Sequence, residues 1–113
     1  MSATESVFSS HVDADGYEPA ETGTVLEGEP NGRIHWLREE DRFMSGLFRC
    51  DPAVFEYEFE ADEAIHVLEG EVSIRIGDRS ADLGPGGIAS FRKGERSVWT
   101  VKSPFKEFFV LAG

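Results

Sequence analysis

Cationic side chains, imidazoles and thiols are all scarce in this chain. Eleven Lys and Arg stand against 22 Asp and Glu in 113 residues, a formal net charge of -11. Phosphate backbones and anionic bilayers would be repelled rather than neutralised, which argues against nucleic-acid and anionic-membrane binding. An anionic ligand would need a local cluster of Arg and Lys. Cys50 is the only cysteine, which excludes an intramolecular disulfide and a Cys-rich zinc site and suits a reducing compartment. No apolar run approaches the roughly 20 residues that span a bilayer. Residues 1–10 have neither a basic start nor an apolar core, so no signal peptide is expected. The expectation is a cytoplasmic protein.

Aromatic residues are plentiful. Nine Phe, two Trp and two Tyr give a chain of this length the means to bury one core without staples. In the stretch from Phe55 to Asp78, Phe55, Tyr57 and Phe59 fall on one parity and Glu56, Glu58 and Glu60 on the other. A period of two with aromatics on one side predicts a half-buried β-strand. After Ala61-Asp62, a second strand carries Glu63, Ile65 and Val67 on one parity, then bends at Gly70. Val72, Ile74 and Ile76 form a third apolar face before Gly77-Asp78 turns the chain. Glu63 is therefore a lone carboxylate on an apolar face.

Residues 1–32 are polar and acidic, rich in Gly, Ser and Thr, and are expected to form an irregular arm. The Val7-Phe8 and Val25-Leu26 pairs would pin it to the body or to a neighbouring subunit. Residues 33–113 form the body. Strands are predicted at 33–37, 46–50, 88–91, 97–101 and 105–111, with 38–42 as a charged connection and turns at Asp51-Pro52, 82–87, 92–96 and 102–104. Many short strands with Gly and Pro punctuation predict an all-β sandwich or barrel.

Two stretches carry a family resemblance. Glu63 is followed seven residues later by Gly70 in HVLEGEV, and Gly86 eight residues later by Gly94. These resemble the two motifs of the cupin superfamily over roughly residues 44–111. Gly46-Leu47-Phe48, Cys50, Pro52, the HVLEG stretch, Trp99 and Lys106 are similar to small single-domain cupins of the ethanolamine-utilisation type and to relatives of (S)-ureidoglycine aminohydrolase. The resemblance implies an RmlC-like double-stranded β-helix, or jelly-roll barrel. It also implies a homodimer, with any site in the barrel mouth. Metal-binding cupins use three imidazoles and one carboxylate, a set that suits transition metals. Here the His-x-His pair falls at Tyr57 and Phe59, the second-motif His at Ser97 and the motif's Pro at Arg92. Only Glu63 remains of the four ligands, so no metal or other cofactor is expected.

The candidate site follows from that placement. Glu63 is a candidate acid or base, since burial raises a carboxyl pKa. Its alternative is a structural carboxylate satisfied by Tyr57, Ser97, Lys106 or Arg92, with Lys106 the favoured charged partner on family grounds. Tyr57, Phe59, Ser97, Trp99, Arg92 and Lys106 are the candidate ligand-binding residues. His66 has the parity opposite to Glu63 and is expected on the outer face; a bulge would instead bring the two together. His11 and His35 have no ligand spacing. The reading is a metal-free barrel that binds a small organic molecule or serves as a metabolic accessory. Its alternatives are an enzyme on a small nitrogenous or sugar-like metabolite that uses Glu63, and a purely structural or oligomerising module.

Overall fold

The structure is a computed structural model that describes residues 9–113; the Val7-Phe8 pair lies outside the described residues. Eleven strands and no helix make up the described chain: β1 Glu18–Pro19, β2 Thr24–Gly28, β3 Arg33–Glu40, β4 Phe43–Cys50, β5 Ala53–Glu58, β6 Asp62–Glu69, β7 Val72–Ile76, β8 Arg79–Leu83, β9 Ile88–Phe91, β10 Arg96–Val101 and β11 Phe105–Ala112. They form two antiparallel sheets, one in the order β1-β3-β4-β11-β6-β9 and the other in the order β2-β5-β10-β7-β8. This is the all-β architecture that the strand spacing predicted, in the jelly-roll form that the cupin resemblance implied.

The core lies between the sheets, and the alternation in sequence states which residues enter it. Phe55 on β5, Ile65 and Val67 on β6, Val72 and Ile74 on β7, Trp99 and Val101 on β10 and Phe105 and Phe109 on β11 are all buried. Glu56, Glu58, Ala64, His66 and Arg75, on the opposite parity, are exposed. Each large apolar side chain so buried contributes about 1.5–3 kcal/mol. The rings pack both within the second sheet and across the gap between the sheets. Phe55 stacks on Trp99 at 5.7 Å between centroids, Phe59 stacks on Phe91 at 4.4 Å, and Trp99 meets Phe105 edge-on at 6.2 Å. Such pairs add about 0.5–1.5 kcal/mol beyond their burial.

The segment before residue 33 is less irregular than its composition suggests. β2 pairs with β5 and extends the second sheet, and β1 pairs with β3 at the edge of the first. Both strands are held by backbone pairing, and Val25 and Leu26 remain exposed instead of pinning the arm with their side chains. The pin is Lys106. Its Nζ donates to the Val12 carbonyl at 2.8 Å and pairs with Glu69 at 2.9 Å, on the outer face of the first sheet. The predicted connection at 38–42 is a continuation of β3 into a turn at Asp41-Arg42, and the polar stretch 79–83 is a strand whose side chains are exposed except for a half-buried Leu83.

Gly70 closes the β6–β7 bend with φ at +84°, and a Cβ there would strike the carbonyl of Pro104. Gly94 has a similar φ of +91° with open space around it. Gly70→Ala is expected to lose more stability than Gly94→Ala. The shared backbone strain is about 1–3 kcal/mol, and the collision with Pro104 adds to it at residue 70 alone. Comparing the midpoints of denaturant unfolding for the two variants checks this.

Candidate functional site

A cavity of about 120 Å³ opens at one end of the barrel between the two sheets. Tyr57 and Phe55 reach it from β5, Glu63 from β6, Trp99 from β10, Glu107, Phe109 and Leu111 from β11, and Phe48 and Ile34 from β4 and β3. Ala20, Glu21 and Thr22, just ahead of β2, complete the rim. Three of the sequence candidates, Tyr57, Glu63 and Trp99, are thus brought together. None of the lining side chains is Lys, Arg or His.

Two carboxyl groups define its electrostatics. Glu63 is 8% exposed and Glu107 only 3%. Burial pushes the Glu63 carboxyl up from its ordinary 4.5 to about 7. Glu107 is held well above the carboxylate range, first by burial and then by the charge of Glu63. The Tyr57 phenol is raised by burial and by the surrounding carboxylates Glu63, Glu60 and Glu107. Desolvation and like charge act together, so near neutral pH the pair retains protons that exposed carboxyls would have lost.

Glu107 is a lining acid that the sequence does not single out. Its signal is the one that revealed Glu63, an acid on the apolar parity of its strand: Phe105, Glu107, Phe109 and Leu111 alternate with Lys106, Phe108 and Val110. The register between β11 and β6 shifts between Lys106 and Glu107. Lys106 pairs with Glu69 and Glu107 with Val67, so Leu68 is the extra residue of a β-bulge.

The remaining candidates are placed elsewhere. Lys106 points away from the cavity and pairs with Glu69, not with Glu63, because it stands on the outward parity of β11. Arg92 is exposed at the β9–β10 turn, where Glu95 accepts from its backbone N–H at 2.8 Å. Phe59 is 1% exposed and packs against Tyr57 and Phe91 in the core. Ser97 Oγ donates to the Tyr57 carbonyl at 2.7 Å and accepts from Trp99 Nε1 at 3.0 Å, which fixes the indole as a cavity wall. Ser97 acts on the site through Trp99. His66 is exposed on the outer face of β6, opposite to Glu63. Cys50 is fully buried, and burial pushes its thiol up to about 12, so it is not a reactive thiolate.

A transition metal does not fit this donor set. At the three positions where cupins place imidazoles stand a phenol, a phenyl ring packed in the core and a hydroxyl with both hydrogen bonds in use. Among the described residues no group of three or more His, Cys, Asp or Glu is disposed to hold a metal ion.

Comparison with known proteins agrees with this architecture. The family of EutQ-like cupin domains matches residues 37–109, more than half of the chain. The chain belongs to the EutQ-like cupin family. Among solved structures it is similar to EutQ of Clostridium difficile at 19% identity and a TM-score of 0.66, over 74% of this chain and 68% of that one. A cupin superfamily protein of Desulfitobacterium hafniense is 25% identical with a TM-score of 0.65, over 83% and 93%. The polyketide cyclase RemF of Streptomyces resistomycificus is 19% identical with a TM-score of 0.69, over 92% and 78%. At such identities the likeness to EutQ and RemF is one of fold. None of the curated proteins matches the sequence. No helix among the described residues is long and apolar enough to cross a membrane.

The raised carboxyl has a sign that can be measured. In the folded chain Glu63 holds its proton up to about pH 7, while in the unfolded chain it loses it near 4.5. The native state binds more protons between these values, so stability falls as pH rises through that window, by about 3 kcal/mol for this group alone. Glu63→Gln keeps the shape and removes the charge. The variant is expected to melt higher than the parent near pH 8, with the difference shrinking toward pH 4.5. A variant that melts lower near pH 8 would show that the ionised carboxylate is stabilised by partners in the fold.

Proposed function

We propose that this protein is a metal-free cupin whose barrel mouth binds a small organic molecule. The observation that carries the reading is the cavity itself, with apolar walls from Phe48, Phe55, Trp99, Phe109 and Leu111 and polar groups from Glu63, Glu107 and Tyr57. Apolar lining with a few convergent polar groups is the usual makeup of a ligand site. The volume of about 120 Å³ limits the enclosed part of the ligand to about five or six non-hydrogen atoms, since a 150 Å³ cavity in another protein holds benzene.

A second reading is favoured by one observation, the Glu63 carboxyl raised to about 7. A group balanced near neutrality in an open cavity suits general acid–base chemistry on a small metabolite, with the Tyr57 hydroxyl in the same cavity to assist. The proposal also keeps the homodimer and the reducing cytoplasm. The buried, reduced Cys50 supports the compartment. The second copy would cover the outer face where Ile88, 73% exposed, lies in one cross-strand row with His66 and Phe108.

Protein purified without chelator is expected to contain far less than one transition metal per chain. In a fragment set of cationic, neutral and anionic molecules, some members should shift the NMR signal of the Trp99 indole. Leu111→Trp, which fills the mouth, should abolish those shifts. One tightly held metal per chain, lost on Glu63→Ala, would overturn the metal-free reading. A set in which no fragment moves the indole would leave only a structural role for the barrel.

A further inference from the structure

Three buried side-chain polar atoms among the described residues lack a hydrogen-bond partner: the Tyr17 hydroxyl, Arg49 Nε and Glu107 Oε1. Only Glu107 lines the cavity. Its side chain belongs to a residue only 3% exposed, in a compartment that already holds a second carboxyl. For stability alone this position is unfavourable. A buried unpaired carboxyl costs several kcal/mol, whereas an apolar residue would continue the run of Phe105, Phe109 and Leu111 on the same parity.

The groups that face the two carboxyls offer no counter-charge. β5 presents Tyr57, β4 presents Cys50 behind Glu107, the β5–β6 turn carries Glu60, and the rim carries Glu21. β3 and β10 contribute Ile34 and Trp99. All the titratable groups here are acids, so every one of them loses by ionising next to the others and gains from an added positive charge.

We propose that the cavity takes a small organic cation, a protonated amine whose ammonium lies between the Glu63 and Glu107 carboxyls and whose hydrocarbon body packs against Phe48, Phe55, Trp99 and Phe109. The inference rests on the small-molecule reading above and names the class of ligand. Three facts converge on it. The unpartnered Glu107 oxygen is an acceptor, and an ammonium brings three donors. The walls are aromatic, and ring faces attract cations. An anion would be repelled by the ionised form, and a neutral molecule brings no positive charge to offset ionisation of the two carboxyls. Since Glu63 titrates near pH 7, the arriving cation displaces a proton to solvent, and affinity rises as pH is raised through that value.

Three molecules of nearly equal size and different charge test this: isopentylamine, isopentyl alcohol and isovalerate, measured by titration calorimetry on the full chain. The amine is expected to bind at least about tenfold tighter than the other two near pH 8 and to weaken by about as much near pH 5.5. Buffers of different ionisation heat should reveal proton release near pH 7. Glu107→Gln is expected to cost the amine at least about tenfold, with the alcohol unchanged. Should that variant fail to fold, Glu63→Gln serves in its place. The proposal is overturned if the alcohol or isovalerate binds as tightly as the amine, if neither variant weakens the amine, or if none of the three binds while other neutral fragments do. A chain that binds no small molecule of any charge would instead remove the binding reading on which the inference rests.

Discussion

The two sheets are joined by the rings that gather around Trp99. The indole stacks on Phe55 of its own sheet and, across the interior, lies 6.3 Å from Phe91 and 6.2 Å from Phe105 of the other. Its one polar atom is satisfied by Ser97 Oγ, which in turn donates to the Tyr57 carbonyl. A buried indole with its N–H paired can contribute its full area to the core. The same ring is a wall of the cavity, so the surface that holds the fold together is also the surface a ligand would touch.

That arrangement leaves a donor set that does not fit a transition metal. Where related barrels place imidazoles, this chain has Tyr57 on the cavity, Phe59 in the core and Ser97 as a bracket for Trp99. The cavity lining is consequently mostly apolar, with Glu63, Glu107 and Tyr57 among the polar side chains on it. Burial raises both carboxyls, and ionising one opposes ionising the other. Lys106, the cation nearest in sequence to Glu107, faces the other way and ties the N-terminal segment to the outer face through the Val12 carbonyl.

Much of this was legible in the chain. The alternation of Phe55, Tyr57 and Phe59 with glutamates, and the inward parity of Glu63, Ile65 and Val67, set the faces of β5 and β6, because side chains of a strand can only alternate. The outward position of His66 followed from the same rule. The strands that escaped notice, β1, β2 and β8, are edge or exposed segments, which gain little from apolar periodicity and take their form from backbone pairing with a neighbour.

The sequence by itself determined the all-β class, the sign of the charge and the inward parity of Phe55, Tyr57, Glu63, Ile65 and Val67. These depend on residue type and a period of two, both local. Only the tertiary structure decided that Glu63 has Glu107 for company and not Lys106. Parity puts Lys106 and Glu107 on opposite faces of β11, but it does not say which other strand each face will meet. That is set by the pairing of β11 with β6, the bulge at Leu68 and the closing of one sheet over the other, which are long-range events with no signature in any short stretch of chain.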